Sequence, residues 1–314
     1  MKVAFLGNFA VDYSSENHHK RSIEALGHEV VAMQEGVTPA EVVLGCAKNS
    51  DLFVWVHTHG WQTPGHPSMA DVLKELEVLG VPTITYHLDL WKGLERERDL
   101  EQDEFYKHIG HFFTVDKLMA DWFNENTNVK GHYLPAGVYG EECYEAESEG
   151  KKYDVIFVGS KGYHHEWPWR PQLIDWLKST YGERFTHIGG DGELPTTRGE
   201  ALNQLYADTK VVVGDSLVLG FDYPYYWSDR VYETIGRGGF LLMPYIKGLE
   251  DEFNLETELP TFRFGDFDNL KHTIDFYLKE DVFRETVRKK AFNKVVNNYT
   301  YKHRWAAIFK ELGL

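Results

Sequence analysis

The 314-residue chain has few cysteines, few basic residues relative to acidic ones, and no long apolar run. Cys46 and Cys143 are too few for a disulfide framework and are not spaced as a zinc motif. The net charge of −16 disfavours a protein that coats nucleic acid, because phosphate contacts need clustered cations. No apolar run approaches the roughly 20 residues that a membrane helix needs, and the first residues resemble a strand and turn rather than a cleavable signal. We therefore expect a cytoplasmic protein without a membrane span.

A regular alternation of apolar runs and amphipathic stretches dominates the rest of the sequence. The length suits two domains, and the 42% of apolar and 26% of charged residues fit a globular protein. In the first half, the runs KVAFLGNF, LFVWVHTH and PTITYHLDLW alternate with stretches of helical period, including one helix near residues 99–108. This alternation predicts βαβ units and a parallel sheet.

A second cycle of the same kind follows the acidic stretch EECYEAESEGKK, which has neither helical nor strand period. We predict a first Rossmann-like domain at residues 1–140, a linker at 141–152, and a second Rossmann-like domain with C-terminal helices at 153–314. The turns after the strands carry Gly, Ser or Asp at the carboxyl edge, where open α/β sheets bind ligands. The predicted fold class is α/β, with two doubly wound domains facing a central cleft.

The short helical pattern SDRVYETIGR places Arg230 and Glu233 three residues apart. A helix that begins at Asp229, or at the serine before it, has a natural N-cap and turns Val231 and Ile235 towards the sheet. Arg230 and Glu233 then share another face. One explanation is an i,i+3 ion pair at the surface, worth only about 0.2–0.5 kcal/mol.

The context of this helix favours a ligand-binding explanation. The preceding strand ends in Gly-Asp-Ser at Asp215, and two glycines follow the helix. An arginine in the first helical turn, beside free backbone N–H groups, suits a pyrophosphate. A carboxylate one turn later suits two ribose hydroxyls. Arg230 and Glu233 together predict a site for a nucleoside diphosphate.

The run SDRVYETIGRGGFLLMPYIKGLEDEF resembles the donor-site segment of GT-B glycosyltransferases, and especially of the spore-maturation-type (CgeB-like) bacterial enzymes. In that group a Ser-x-Arg-x-x-Glu pattern precedes a Gly-rich turn and a strand. The domain organisation is similar over most of the chain, but the sequence motif itself matches only over residues 227–253. The commoner family pattern has a second Glu seven residues earlier, where this chain has Tyr226, so the stereochemical outcome stays open.

This resemblance implies a donor-binding set in the second domain. Glu233 would bind the ribose and Arg230 the diphosphate, while strand-end backbone lies near the phosphates and a lysine adds charge. The residues that we expect to bind the donor are Gly159, Ser160, Lys161, Gly189, Gly190, Asp215, Arg230 and Glu233.

Histidines and an aspartate follow two strands of the first half. His57 and His59 come after one apolar strand and lie on the same side, and His87 and Asp89 repeat the pattern after the next. In a GT-B plan the first domain binds the acceptor, and a strand-end side chain accepts its hydroxyl proton. Asp89 is the first candidate for this base, and His57 or His59 the second. The same four residues are possible metal ligands, although helix capping and sheet-edge hydrogen bonds also account for them.

The sequence thus predicts a glycosyltransferase, of hexosyltransferase type, that moves a sugar from a nucleotide sugar to an acceptor hydroxyl. A UDP-sugar is the first expectation for the donor, and the acceptor stays open among a glycan, a small molecule, a protein and modified DNA. No metal or other cofactor is expected, because an arginine and a helix N-terminus offset the diphosphate charge. The resemblance also implies that the final helix, residues 301–312, packs back on the first domain. Two alternatives remain, a metal-dependent hydrolase and a non-catalytic protein that binds nucleotide sugars or carbohydrates.

Overall fold

In the computed structural model of the chain, residues 1–58, 60–162, 165–216 and 222–314 are described. The chain divides into two compact units, one formed by residues 1–136 with 301–314 and the other by residues 137–300. Each unit contains its own parallel sheet with helices in the connections. The predicted fold class, α/β with two doubly wound Rossmann-like units, is confirmed.

The strands of the described residues follow the predicted alternation. They are β1 (Lys2–Gly7), β2 (Glu29–Gln34), β3 (Leu52–Trp55), β4 (Thr83–His87), β5 (His111–Thr114), β6 (Lys130–Tyr133), β7 (Tyr153–Val158), β8 (Phe185–Ile188), β9 (Thr209–Val213), β10 (Leu241–Pro244) and β11 (Thr261–Phe262). The first sheet has the order β2-β1-β3-β4-β5-β6, and the second has the order β11-β10-β9-β7-β8. The pairings between neighbouring strands of both sheets are parallel.

The α-helices lie between these strands and at the end of the chain. They are α1 (Ser15–Glu24), α2 (Ala40–Ala47), α3 (Met69–Val78), α4 (Asp99–Gln102), α5 (Phe105–His108), α6 (Lys117–Asn126), α7 (Trp169–Tyr181), α8 (Gly199–Ala207), α9 (Arg230–Gly236), α10 (Leu249–Glu252), α11 (Phe267–Lys279), α12 (Asp281–Asn298) and α13 (Tyr301–Leu312). No helix in the described ranges combines the length and the apolar composition needed to cross a membrane.

The inner strands of both sheets are buried, with helices packed against them. Every residue of β3 and β4 is buried, including Thr83 and Thr85, which is the pattern of a strand within a parallel sheet. In the second unit, Val155, Ile156 and Phe157 of β7 are fully buried. The apolar runs of the sequence therefore form the two cores.

The last helix, α13, belongs to the first unit. The indole of Trp305 is fully buried, and its Nε1 donates a hydrogen bond to Nδ1 of His19 at 3.1 Å. The rings of Phe5 and Tyr86 lie 6.4 and 6.5 Å from it, centroid to centroid. The Nε of Arg304 donates to the carbonyl of Ala136 at 2.9 Å. Residues far apart in sequence thus share one core.

Two local predictions differ from the structure. The helix expected near residues 99–108 is interrupted at Asp103, whose backbone is extended, so that α4 and α5 are separate. Asp103 Oδ1 accepts a hydrogen bond from the Phe105 amide at 2.9 Å, which favours a new helix start over a continuous helix. At α9, Asp229 has helical dihedral angles, and its carboxylate caps none of the described amides of the first turn. The predicted burial of Val231 and Ile235 is confirmed.

Candidate functional site

The strand order of the second sheet reverses between β7 and β9. The chain leaves β7 towards β8 on one side and returns through β9 to β10 on the other. At such a switch point the connections diverge and leave a crevice at the carboxyl ends of the strands, where ligands bind. Gly159 and Ser160 follow β7 here, and Asp215 follows β9. Several predicted donor-binding residues therefore lie at the position that the topology favours.

Arg230, the first residue of α9, reaches the end of β7. Its Nη1 donates a short hydrogen bond to the carbonyl of Val158, and its guanidinium lies over the Phe157 ring at 5.6 Å from the centroid. Arg230 is half-buried. A guanidinium has five N–H donors, so most of its capacity remains for a ligand. The carbonyl and the ring fix its position beside the switch point.

Two glycines allow the backbone and Arg230 to approach each other closely. A Cβ at Gly159 would lie 2.6 Å from Nη1 of Arg230, and the φ of +137° is rare for other residues. A Cβ at Gly189 would lie 2.6 Å from the Gly159 carbonyl oxygen. The Nε2 of His187 hydrogen-bonds this oxygen at 2.6 Å. Gly159 and Gly189 thus serve close packing at the strand ends.

Glu233 lies one turn after Arg230 and does not pair with it. Its side chain is half-buried, and its carboxylate makes no hydrogen bond or ion pair with any residue that the structure describes. The i,i+3 ion pair considered from the sequence is therefore absent between these two described side chains. A carboxylate without a protein partner, one turn from a fixed guanidinium, is suited to accept hydrogen bonds from ligand hydroxyls.

Asp215 forms a buried ion pair that sequence reasoning missed. Its Oδ2 accepts hydrogen bonds from Nε of Arg170 at 3.1 Å and Nε1 of Trp167 at 3.4 Å. Its Oδ1 is buried and has no partner among the described residues. Burial raises the pKa of Asp215, although Arg170 opposes this effect. Because Asp215 is only 3% exposed and paired, it holds Arg170 in place rather than presenting a free carboxylate.

Arg170 adds a second guanidinium to the switch point. It lies over the Phe157 ring at 5.8 Å, so both it and Arg230 contact one aromatic ring. Its Nη1 donates to the carbonyl of Ser160 at 3.4 Å. The strand-end position of Asp215 was readable from the sequence, but its partner comes 45 residues earlier in the chain. No local spacing signals such a pair.

The remaining predicted donor residues occupy more open positions. The Lys161 backbone amide donates to both carboxylate oxygens of Asp191 at 2.9 Å, and the Lys161 ammonium pairs with Asp175. Ser160 and Gly190 are exposed, and a Cβ at Gly190 would meet nothing within 4 Å. Lys161 is therefore already paired, while Ser160 and Gly190 are accessible.

In the first unit, two carboxylates hold His57. Its Nδ1 lies 2.9 Å from Oε1 of Glu35, and its Nε2 lies 2.8 Å from Oδ2 of Asp103. Nε1 of Trp55 donates to the same Glu35 oxygen at 2.9 Å. His57 is 7% exposed and has a φ of 52°, which is uncommon for a residue other than glycine. The imidazole of His57 is therefore held by a carboxylate at each of its two nitrogens.

This arrangement favours the imidazolium form of His57. Burial alone would lower the pKa of His57, but the hydrogen bonds with Asp103 and Glu35 outweigh it and raise the pKa to about 9. A ring that donates from both nitrogens has no lone pair with which to accept an acceptor's proton. The geometry therefore disfavours His57 as a general base. His59 lies outside the described residues.

Asp89 remains the better placed candidate for a base. It lies two residues after β4, is half-buried, and has no hydrogen-bond or ion-pair partner for its carboxylate within the described part of the chain. His87 is fully buried, and burial lowers its pKa to about 4 despite the opposing charge of Asp89. His57, His87 and Asp89 do not bring three ligand atoms within 4.8 Å of one another. The described residues thus give no support to the predicted hydrolase site.

A cavity of about 360 Å³ lies near the carboxyl ends of β2 and β3. It is lined by Gln34, Glu35, Gly36, Val37, Trp61 and Gln62. The Trp61 side chain is 38% exposed, and it lies close enough to Gly36 that a Cβ there would be 3.4 Å from its Cβ. No lysine or arginine contributes to the lining among the described residues. The cavity offers an aromatic ring, two amides and no cation.

A protein-family profile matches part of the chain. The sequence profile of a family described as glycosyl transferase-like matches residues 170–310, a range that begins at Arg170 and includes Asp215, Arg230 and Glu233. None of the curated proteins compared with the chain matches it significantly.

Solved structures match the chain over almost its whole length. A glycosyltransferase from Rickettsia africae ESF-5 aligns with a TM-score of 0.62 at 12% identity, covering 99% of this chain and 98% of that one. Anabaena HepE in complex with UDP and glucose aligns with a TM-score of 0.68 at 12% identity, covering 100% and 99%. An alpha-glucosyltransferase in complex with UDP-glucose and DNA containing an abasic site gives 0.71 at 10% identity, covering 100% of both chains. The chain has the GT-B fold of these glycosyltransferases.

Proposed function

We propose that this protein is a glycosyltransferase that uses a nucleoside diphosphate sugar, with a UDP-sugar as the first expectation. The observation that carries the proposal is the placement of Arg230 and Glu233, three residues apart yet unpaired, beside Gly159 at the switch point. The glycosyl transferase-like profile includes both residues, and two structures of similar fold contain UDP or UDP-glucose. The finer expectations, hexosyl transfer and likeness to the spore-maturation-type enzymes, belong to this proposal.

In the proposed donor site, Arg230 binds the diphosphate and Glu233 accepts hydrogen bonds from the ribose hydroxyls. During transfer, the bond between the anomeric carbon and the diphosphate oxygen breaks, and the electron pair leaves with the diphosphate. Preorganised donors stabilise such developing charge at no reorganisation cost. The Val158 carbonyl and the Phe157 ring preorganise Arg230 in this way. A guanidinium in this role makes a divalent cation unnecessary in our proposal.

The first unit supplies the acceptor side of the proposed reaction. The carboxylate of Asp89 would accept the proton of the acceptor hydroxyl as its oxygen bonds to the anomeric carbon. The cavity beside Trp61 suits a neutral polyhydroxy acceptor, because hydroxyl-bearing rings pack on an exposed indole while amides accept and donate hydrogen bonds. Its uncharged or acidic lining disfavours a phosphate-rich acceptor such as DNA.

Thermal unfolding with UDP in the presence of EDTA tests the donor site. Ligand at one hundred times its Kd stabilises the folded state by about 2.7 kcal/mol, so a clear rise in Tm is expected. Glu233→Ala should abolish the rise. Glu256→Ala, which removes an exposed carboxylate in the same unit, should retain it. A rise that depends on added metal, or that persists in Glu233→Ala, contradicts the proposed donor site.

Slow hydrolysis of UDP-sugars then separates an enzyme from a binding protein. Release of UDP from at least one sugar nucleotide is expected, and the anomer of the free sugar, followed by NMR, reports inversion or retention. Stabilisation by UDP with no release from any donor, even with mono- and oligosaccharide acceptors, would favour the non-catalytic alternative.

A further inference from the structure

A second cavity lies in the second unit at the carboxyl end of α9, whose first residue is Arg230. Its volume is about 210 Å³, and its charged lining residues are Glu145, Lys151, Arg237 and Arg288. These residues come from the chain before β7, from the end of α9 and from α12. Three cations and one carboxylate thus surround a space that shares none of its lining residues with the proposed donor site.

Arg237 lines this cavity with an unused donor. The residue is only 3% exposed, and its Nη1 donates to Oδ1 of Asn203 at 2.7 Å and to the carbonyl of Gly199 at 3.2 Å. Its Nη2 forms a short ion pair with Glu142. The Nε is buried and has no hydrogen-bond partner among the described residues. A buried donor left unpaired destabilises the folded protein, and a bound acceptor would offset this loss.

Arg288 contributes a second guanidinium with spare donors. Its Nε donates to Oε2 of Glu285 at 2.8 Å, and its Nη1 contacts the Gly238 carbonyl at 3.1 Å and Oε1 of Glu145 at 2.5 Å. Its Nη2 has no partner in the described part of the chain. The Glu145 side chain is 42% exposed, so solvent competes for this pair and an entering anion can displace it.

Lys151 completes the positive side of the cavity. Its Nζ donates to the carbonyl of Ala207 at 2.8 Å and lies 3.8 Å from Oε1 of Glu285. Burial lowers the pKa of Lys151, and the charge of Arg288 lowers it further against the effect of Glu285. An ammonium whose charge is disfavoured by burial gains when an anion binds nearby.

We propose that this cavity binds a small tetrahedral oxyanion of the phosphate type through Arg237, Arg288 and Lys151. Guanidinium groups match the oxygen geometry of phosphate, and charge-assisted hydrogen bonds are the strongest available to such a ligand. With a volume of about 210 Å³, the cavity has room for one such oxyanion. The proposal does not depend on the proposed glycosyltransferase function.

Calorimetric titration with inorganic phosphate tests the site. The parent protein is titrated both with and without UDP, and ionic strength is held constant with NaCl, so that phosphate bound at the donor site and general screening are both accounted for. Lys151→Met and Arg288→Gln remove one charge each from the cavity. Lys289→Met is the control, because it removes an exposed charge from α12, the helix that contains Arg288. Arg230→Ala, titrated without UDP, reports on any phosphate bound at the donor site.

The expected result is saturable phosphate binding that weakens at least tenfold in Lys151→Met and Arg288→Gln and is unchanged in Lys289→Met and Arg230→Ala. Circular dichroism confirms folding, and Lys151→Met carries the test if Arg288→Gln unfolds. Absence of binding to the parent protein, equal binding by Lys151→Met, or loss of binding in Arg230→Ala overturns the proposal.

Discussion

The guanidinium of Arg230 occupies the space where any side chain at Gly159 would begin. An ideal Cβ on Gly159 lies 2.6 Å from Nη1 and 2.8 Å from Nη2 of Arg230. The two residues are 71 positions apart, yet the arginine position depends on the glycine. The strand end and the helix start are therefore matched to each other at the proposed diphosphate site.

Gly159→Ala should weaken UDP binding by displacing Arg230. The new methyl group conflicts with the guanidinium, and the φ of +137° is unfavourable for alanine. We expect UDP affinity, measured by calorimetry, to fall about tenfold, which corresponds to about 1.4 kcal/mol. Gly162→Ala, where a Cβ meets nothing within 4 Å, is the matched control. Unchanged affinity in Gly159→Ala would show that Arg230 does not contact the ligand.

Asp215→Asn should destabilise the second unit strongly. The substitution leaves Arg170, which is 6% exposed, without a balancing charge, and breaking a buried pair in this way costs about 3–5 kcal/mol. Urea unfolding measures the loss. Glu24→Gln, which breaks the exposed pair with Lys20, should cost about 0–1 kcal/mol. Similar losses for the two variants would mean that the Asp215 pair contributes no more than a surface one.

Deprotonation of His57 should lower the free energy of unfolding at alkaline pH. Its folded pKa of about 9 exceeds the unfolded value of 6.5, so the imidazolium stabilises fully below pH 6.5, and this contribution is lost as the pH rises through 9. The shift is worth about 3 kcal/mol at most. Urea unfolding between pH 6 and 10 should show the loss in the parent protein and a flatter profile in His57→Gln. His108→Gln, which changes a histidine paired at the surface with Glu104, should keep the parent profile.

His87→Phe should raise stability most at acidic pH. Both ring nitrogens of His87 are buried without partners in the described residues, and burial lowers its pKa to about 4. Between pH 6.5 and 4, the unfolded chain therefore binds a proton that the folded chain does not. The free energy of unfolding of the parent protein falls as the pH decreases through this range. We expect a larger gain in Tm at pH 5 than at pH 7.5. An equal loss at both pH values contradicts this, and exposed His272→Phe is the control.

The fold was predictable because buried strands and glycine-containing turns can be recognised from local sequence patterns. Arg230 was recognisable from its position in a short helix after a strand ending in Gly-Asp-Ser. Its contacts with Val158 and Gly159 were not, because nothing in one sequence gives the distance between β7 and α9. The Arg170–Asp215 pair was not predicted for the same reason.

The hydrogen bonds of His57 with Glu35 and Asp103 were not predicted, for a different reason. A continuous helix over residues 99–108 hides Asp103 on a solvent face, whereas the observed break turns its carboxylate to the imidazole. Glu35 had a usable signal, since it directly follows the end of β2, as His57 and Asp89 follow the ends of the next two strands in sequence. Attention to every strand end would have identified it.

The inclusion of α13 in the first unit has a consequence for biosynthesis. During translation the first 136 residues emerge well before Trp305, which fills the space between Phe5, His19 and Tyr86. Until residues 301–312 leave the ribosome, that unit presents an apolar gap, and nascent chains with such surface are prone to association. Chaperone binding should therefore persist on ribosome-bound chains that stop at residue 300 and should decline once the last helix is exposed.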